Sequence, residues 1–194
     1  MKISGLFLWM AAVTAPVMAA DHAGNNSLSV DEVSALSQQA REQVKGFGAD
    51  LKKAVKQGME AGGPVVAIQS CNLQAPVIAD QHSQSEWKVG RTSLKLRNPD
   101  NAADAWETSV LQSFEQRLAA GEEMGALEAS TLENGQFRYM KAIGTESMCL
   151  GCHGDKLSAP VAARLAELYP ADQATGYQAG QLRGAFTLVR TTGE

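Results

Sequence analysis

Five consecutive residues near the end of the chain constrain its fold more than any other segment. Residues 149–153 read Cys-Leu-Gly-Cys-His, the C-x-x-C-H pattern of covalent c-type haem attachment. The thiols of Cys149 and Cys152 are spaced so that each can add to one of the two vinyl groups of a haem. His153 follows directly and is placed to bind the iron through a neutral imidazole nitrogen. We therefore expect the fold to enclose one covalent haem c beside this segment.

Two other uses of a C-x-x-C pair are a disulfide and half of a zinc site. A structural zinc site needs about four ligands. The sequence contains no second C-x-x-C and no H-x-x-x-H to supply the other two. The pattern therefore favours haem attachment.

The start of the chain has the pattern of a secretory signal peptide. Met1-Lys2 is positive, residues 3–15 are almost wholly apolar, and residues 17–19 offer a cleavage site. We expect residues 1–19 to be a signal peptide and residues 20–194 to form a single domain. An uncleaved anchor is the alternative, although the apolar stretch is short for a membrane span. Because c-type haem is attached outside the bacterial inner membrane, we expect a periplasmic protein with no stable membrane insertion after cleavage.

Charge and cysteine content narrow the function further. The net charge is -4 and no basic run is present, so the sequence does not predict nucleic-acid binding. Of the three cysteines, two belong to the attachment motif, which leaves Cys71 without a disulfide partner in the chain. A cysteine without a disulfide partner in an oxidising compartment is expected to have a specific role. Cys71 is either a small buried apolar residue or a thiolate ligand of the iron opposite His153.

Apolar spacing predicts long helices before and around Cys71. Apolar residues recur every three or four positions over 33–55, with Asn26 or Ser29 as the cap. This stripe either faces the core or pairs with a second copy in a homodimer. Residues 62–64, Gly-Gly-Pro, predict the end of this helix and the start of the next.

The second helix carries Cys71, and Pro76 predicts a kink beside it. His82 lies eleven residues after Cys71 and is a candidate ligand, but a polar loop residue is the favoured interpretation. Met140 is another candidate ligand, but a methionine on a strand more often packs in the core.

Residues 87–97 are expected to be extended, followed by a third helix that Asn101 caps together with Asp104. Arg91, Lys95 and Arg97 alternate along the extended stretch and can share one side. They are either partners for the haem propionates or a solvated strand face.

Asn134-Gly135 is the preferred pair for a two-residue hairpin turn. Pairing outward from it sets Leu132 opposite Phe137 and Glu128 opposite Lys141, an apolar pair and an opposite-charge pair in register. Tyr139 on the second strand is either a lining residue of the haem pocket or a core residue. A short helix over 158–169 and a last strand over 185–190 complete the expected elements.

Together these residues resemble the c-haem-binding family first catalogued as a domain of unknown function. The matching segments are QSCNLQAPVIA around Cys71, RTSLKLRNPDNAADAWE from Arg91, FRYMKAI from Phe137, CLGCHG, and GYQAGQLRGAF from Gly176. They span nearly the whole chain after the signal peptide, in order. Known members are stand-alone periplasmic proteins and sensor modules of bacterial signalling proteins.

The resemblance implies an α+β, PAS-like fold: an antiparallel sheet with long N-terminal helices and flanking helices. It also implies that His153 and Cys71 are the two axial ligands of the iron. We therefore expect a c-type cytochrome that acts in electron transfer or in redox or gas sensing, with a redox or signalling partner protein that the sequence does not identify.

The alternatives are a His/Met or five-coordinate cytochrome c acting as a plain electron carrier, and a haem enzyme such as a peroxidase. Peroxidase chemistry needs an open distal site with an acid-base group. Because Cys71 would block that site, we do not expect an enzyme.

Overall fold

The computed structural model describes residues 28–84 and 86–191, so the predicted signal peptide lies outside the described residues. The described helices are α1 (Val30–His82), α2 (Ala105–Ala119), α3 (Leu150–His153) and α4 (Ala159–Leu168). The described strands are β1 (Trp87–Thr92), β2 (Glu128–Glu133), β3 (Gln136–Gly144) and β4 (Leu182–Thr191). No helix in these two ranges is both long enough and apolar enough to span a membrane.

Helix α1 is a helical hairpin of two arms, 30–61 and 64–82. Ser29 caps it: its hydroxyl accepts from the backbone of Glu32 at 3.2 Å and its own N–H donates to the Glu32 carboxylate at 2.7 Å. The chain reverses at Gly63, whose φ of 76° lies in the left-handed region that favours glycine. The predicted break at 62–64 is therefore confirmed. Non-helical backbone angles occur at Gly62 and Gly63 and not at Pro76.

The two arms of α1 run antiparallel and in contact. A Cβ built on Gly58 would lie 2.6 Å from the Cα of Ala67, and one built on Gly46 would lie 3.2 Å from the His82 ring. Glycine is therefore needed at residue 58, where the backbones approach most closely. This reversal brings Cys71, in the second arm, back along the first.

The strands form one antiparallel sheet in the order β1-β4-β3-β2. The predicted hairpin register is confirmed, with Leu132 opposite Phe137 and Glu128 opposite Lys141. The turn residues Asn134 and Gly135 have φ angles of 52° and 69°, which the two-residue turn requires.

Each face of the sheet packs against one helical layer. The first arm of α1 covers one face, and this core contains Leu36, Ala40, Val44, Phe47, Leu51, Ala54, Trp87, Val89, Phe137, Tyr139 and Leu188. The other face packs on α2, and this core contains Val110, Leu111, Phe114, Leu127, Met140, Leu182 and Ala185. The stripe of the first arm is therefore used inside the chain, and a homodimer through this helix stays a prediction.

Two predicted boundaries were wrong. Asp104, not Asn101, caps α2: it accepts from the backbone of Glu107 at 2.9 Å, and its N–H donates to the Glu107 side chain at 3.0 Å. Asn101 instead ends a 3-10 turn that starts at Pro99. The extended segment stops at Thr92, because the hydroxyl of Ser93 bonds the backbone of Lys95 and folds the chain into a bend.

Candidate haem site

Three separate segments meet at one end of the molecule to form the candidate site. Ile68 of the second arm packs with Val161 and Leu165 of α4 in a small buried cluster, and Cys152 lies against it. Cys71 lies three residues after Ile68, which is just under one helical turn of about 3.6 residues. The lone thiol and the attachment segment are therefore brought to the same region by packing.

The attachment segment follows directly on β3. Backbone bonds from Thr145 to Gln181 and from Gly180 to Thr145, each 2.8 Å long, fix the end of that strand. The chain then makes a 3-10 turn over Ser147–Cys149 and enters α3. A Cβ on Gly154 would lie 2.6 Å from the Leu150 carbonyl oxygen, so the residue after the histidine must be small.

The ring of His153 is held in one tautomer. Its Nδ1 lies 2.7 Å from the carbonyl oxygen of Ala174. A carbonyl can only accept, so Nδ1 carries the proton and Nε2 keeps its lone pair. Burial, and then the positive charges of Arg97 and Arg183, lower the pKa of His153 to about 3. The imidazole is therefore neutral, which is the form that binds a metal.

Residues 172–177 form a strap across the attachment segment. The backbone N–H of Gly176 donates to the carbonyl of Gly154, and that of Tyr177 to the carbonyl of His153, both at 2.9 Å. The ring of Tyr177 stands edge-on to the imidazole, with 6.3 Å between centroids. The strap thus fixes both the backbone and the ring of the histidine.

Arg97 is not on a solvated strand face, and its predicted role as a propionate partner stays a prediction. Its side chain is only 14% exposed and forms an ion pair with Asp172 at 3.0 Å. It also donates to the carbonyl of Cys152 at 2.6 Å and reaches that of Ala174 at 3.4 Å. Its Nη1 lies 3.4 Å from Nε2 of His153. Arg97 therefore connects the attachment segment to the strap.

Arg91 is close enough to Cys71 for its charge to act on the thiol. Burial raises the pKa of the half-buried Cys71 thiol, and the positive charge of Arg91 is the largest effect that opposes this. Burial likewise lowers the pKa of Arg91. Among the described residues, Arg91 has neither a side-chain hydrogen bond nor an ion pair. It is thus a desolvated cation close to the candidate sulfur ligand.

Arg183 is a second such cation. Burial lowers its pKa, and its Nη1 donates to the hydroxyl of Ser93 at 3.0 Å and to the carbonyl of Lys95 at 3.3 Å. Neither partner is a carboxylate, and within the described ranges Arg183 forms no ion pair. Desolvated guanidinium groups of this kind fit the two propionates of a haem, which are bidentate acceptors.

Two other predicted site residues lie elsewhere. Tyr139 is 1% exposed and belongs to the core under the first arm of α1. Its hydroxyl donates to Glu128 at 2.7 Å, and none of its described contacts joins it to the attachment segment, so the core alternative is the one observed. His82 ends α1 rather than lying in a loop, and its Nε2 bonds the Asp50 carboxylate at 2.8 Å.

A cavity of about 330 Å³ opens between the second arm of α1 and the end of α4. It is lined by Asn72, Pro76, Asn98, Pro99, Asp100, Leu168, Tyr169, Pro170 and Ala171. Pro76 has no N–H, so the carbonyl of Asn72 loses its helical partner at this point. Within the described ranges, no group of three or more His, Cys, Asp or Glu side chains is arranged to hold a metal ion.

Sequence reasoning missed three contributors to the site. Arg183 lies within the segment GYQAGQLRGAF, and that match was the signal that could have identified it. Asp172 acts only through Arg97 and the strap. Ala174 contributes a main-chain carbonyl, which no side-chain pattern reports.

Comparisons with known proteins support this assignment of the fold. A family model described as Tll0287-like matches residues 19–190. No curated protein matches the chain. The crystal structure of the cyanobacterial heme-protein Tll0287 matches with a TM-score of 0.58 and 20% identity, over 86% of this chain and 99% of that one. The predicted α+β class, an antiparallel sheet with flanking helices, is confirmed.

Proposed function

Because this chain belongs to the Tll0287-like family, we propose that it is a periplasmic c-type haem protein with His/Cys ligation. The observation that carries the proposal is the geometry of His153. A neutral imidazole, protonated on Nδ1 and unprotonated on Nε2, directly follows two free thiols, and its Nε2 lone pair faces Arg97 Nη1 at 3.4 Å. A disulfide gives no reason for this fixed tautomer, and a zinc site would need further ligands. No group of three or more His, Cys, Asp or Glu side chains among the described residues is arranged to supply them.

Cys149 and Cys152 hold the group covalently. In c-type attachment each thiol adds across one vinyl double bond: the sulfur bonds to one carbon and the hydrogen to the other. Both residues are partly buried and neither is in a disulfide. A bound haem supplies one-electron redox chemistry at its iron.

His153 and Cys71 are the proposed iron ligands. The bond from Nδ1 to Ala174 orients the ring and increases the donor strength of Nε2. The positive charge of Arg91 favours the thiolate form of Cys71 against the cost of burial. A thiolate pushes electron density toward the iron and lowers its reduction potential.

Arg91 and Arg183 are the proposed partners of the propionates. Both are desolvated and lack a carboxylate partner among the described residues, and an uncompensated buried charge is costly. Two carboxylates from the bound group would compensate both.

The proposed role is electron transfer or redox and gas sensing with a separate partner protein. With Cys71 as the second iron ligand, exogenous ligands would enter only when the sulfur leaves. Cys71 lies on the second arm of α1, which begins directly after the glycine reversal at Gly62 and Gly63. Departure of the sulfur from the iron would therefore be coupled to a movement of this arm.

Co-expression with a haem-maturation system and export to the periplasm tests the proposal. We expect a red protein whose mass equals the cleaved chain plus one haem, and loss of this added mass when Cys149 and Cys152 are both replaced by serine. Cys71→Ala should abolish the ultraviolet-shifted thiolate bands, Cys71→Met should give a different six-coordinate spectrum, and Val77→Ala, an exposed change on the same arm, should leave them intact. Colourless wild-type protein would refute the proposal.

Spectra in both redox states separate the two roles. A six-coordinate spectrum that persists on reduction favours an electron carrier. Loss of the sulfur ligand on reduction, followed by binding of carbon monoxide, favours a sensor.

A further inference from the structure

We infer that Arg97 and Asp172 are positioning residues, which set the donor strength and orientation of His153 through the Ala174 carbonyl. The inference rests on the proposed function, because it assigns these residues a role in tuning the same site. It gives Arg97 a different task from that of Arg91 and Arg183.

The first argument is the convergence of contacts on one buried ion pair. The Arg97 and Asp172 side chains are 14% and 9% exposed. From this pair, Arg97 donates to the carbonyl of Cys152 at 2.6 Å. Asp172 accepts from the backbone N–H of Ala174 at 2.8 Å. The pair therefore holds the residue before His153 and the residue whose carbonyl receives its Nδ1–H.

The second argument concerns the acceptor itself. Ala174 is fully buried, its N–H is fixed by Asp172, and its carbonyl oxygen faces both His153 Nδ1 and Arg97 Nη2. Its position relative to the imidazole thus depends on the ion pair rather than on its own side chain. A strong acceptor at Nδ1 makes Nε2 a better donor, so a displaced carbonyl makes it a weaker one.

The third argument is the shape of the guanidinium. Arg97 uses Nε and Nη2 toward Asp172 while Nη2 also reaches two carbonyls. A lysine keeps the positive charge but presents a single ammonium, so it cannot reproduce this planar set of contacts. Arg97→Lys therefore removes the positioning contacts and keeps the positive charge.

The test uses haem-loaded protein carrying Arg97→Lys, Asp172→Asn or both. The matched control is Arg190→Lys, which changes a guanidinium paired with Glu86 at the far end of β4. The measurements are the midpoint reduction potential, the electron paramagnetic resonance spectrum of the ferric form, and urea unfolding.

Positioning predicts a characteristic pattern. Arg97→Lys shifts the potential to more positive values, although the charge is unchanged, and broadens or splits the low-spin ferric signal. Asp172→Asn shifts the potential in the same direction. The double variant shifts it by less than the sum of the single shifts, because both residues act in one network. Arg190→Lys leaves the potential and the signal unchanged.

Three results would overturn the inference. One is a wild-type potential and signal in Arg97→Lys, which would leave Arg97 a role only as a charge or in stability. Another is strict additivity in the double variant. The third is failure of both single variants to accumulate while Arg190→Lys is normal, which would assign the pair to folding. Wild-type protein that takes up no haem is a separate outcome, because it refutes the proposed function as well.

Discussion

Replacing Glu128 by glutamine tests the charged cluster that fastens the first arm of α1 to the β2–β3 hairpin. Glu128 accepts from the Tyr139 hydroxyl at 2.7 Å and from Arg41 Nη2 at 2.5 Å, and lies 3.3 Å from Lys141 Nζ. Tyr139 is buried under this arm, so its hydroxyl has no solvent to replace the carboxylate. The cluster therefore links residues that are distant in sequence across the edge of the core.

The size of the effect follows from the exposure of each partner. A buried hydroxyl bonded to a carboxylate contributes about 1.5 kcal/mol. The Arg41 side chain is 44% exposed, so its pair contributes about 0.5 kcal/mol, and the longer Lys141 pair contributes about as much. Glutamine keeps the shape and one acceptor oxygen. We expect Glu128→Gln to lower the free energy of unfolding by roughly 1–2 kcal/mol near neutral pH.

The effect should depend on pH. The hydrogen bonds from Arg41, Tyr139 and Lys141 outweigh burial and hold the pKa of Glu128 at about 2, below its ordinary value of about 4.3. A group whose pKa is depressed in the folded state stabilises the protein above its unfolded pKa, and this stabilisation is lost as the pH falls through the folded value. The difference between wild type and variant should therefore shrink between about pH 5 and pH 2.

Urea unfolding, followed by far-ultraviolet circular dichroism at several pH values, measures the stability difference between wild type and Glu128→Gln. Glu123→Gln is the matched control, because Glu123 is exposed and forms no ion pair or side-chain hydrogen bond with a described residue. Equal stability of Glu128→Gln and wild type at pH 7 would refute the reasoning. So would a difference that stays constant down to pH 3.

Three further predictions concern packing. Tyr139→Phe should lower the free energy of unfolding by about 1.5 kcal/mol and leave the visible spectrum unchanged, since the ring lies in the core and not in the candidate haem site; an altered spectrum would contradict this. Gly58→Ala should destabilise the protein by about 1–3 kcal/mol in urea unfolding, because the new methyl group meets the backbone of Ala67; Gly125→Ala, which meets nothing, is the control. Phe114→Ala, fully buried under the sheet, should cost about 3–5 kcal/mol, and a loss below 1 kcal/mol would show that this core is not packed as described.

Local signals were sufficient for the parts of the fold that local physics decides. The hairpin register was predicted correctly because Asn134-Gly135 fixes the turn and an apolar and a charged pair agree with it. Ser29 was one of two proposed caps and is the one observed. The cap of α2 was misplaced because Asn101 and Asp104 both begin acceptable capping patterns. Only the structure shows that Asp104 gains a further partner in Arg138.

Contacts between distant segments could not be predicted in the same way. Arg91, Lys95 and Arg97 alternate in sequence, yet the bend after Thr92 gives Arg97 a partner in Asp172, 75 residues away. The acceptor for His153 is a main-chain oxygen, which any residue type at position 174 would offer. The antiparallel arms of α1 follow from two glycines whose effect on direction depends on what the helix packs against.

The strap over the attachment segment has a mechanical consequence, because only the turn over residues 178–181 separates it from β4 in the middle of the sheet. Two backbone hydrogen bonds, which join Gly180 and Gln181 to Thr145 just after β3, hold that turn in place. Phe186 on β4 touches Phe47 of the first arm, and Phe47 touches His82 at the tip of the arm that carries the thiol. A displacement of His153 would therefore reach the arm that carries Cys71 through packed contacts.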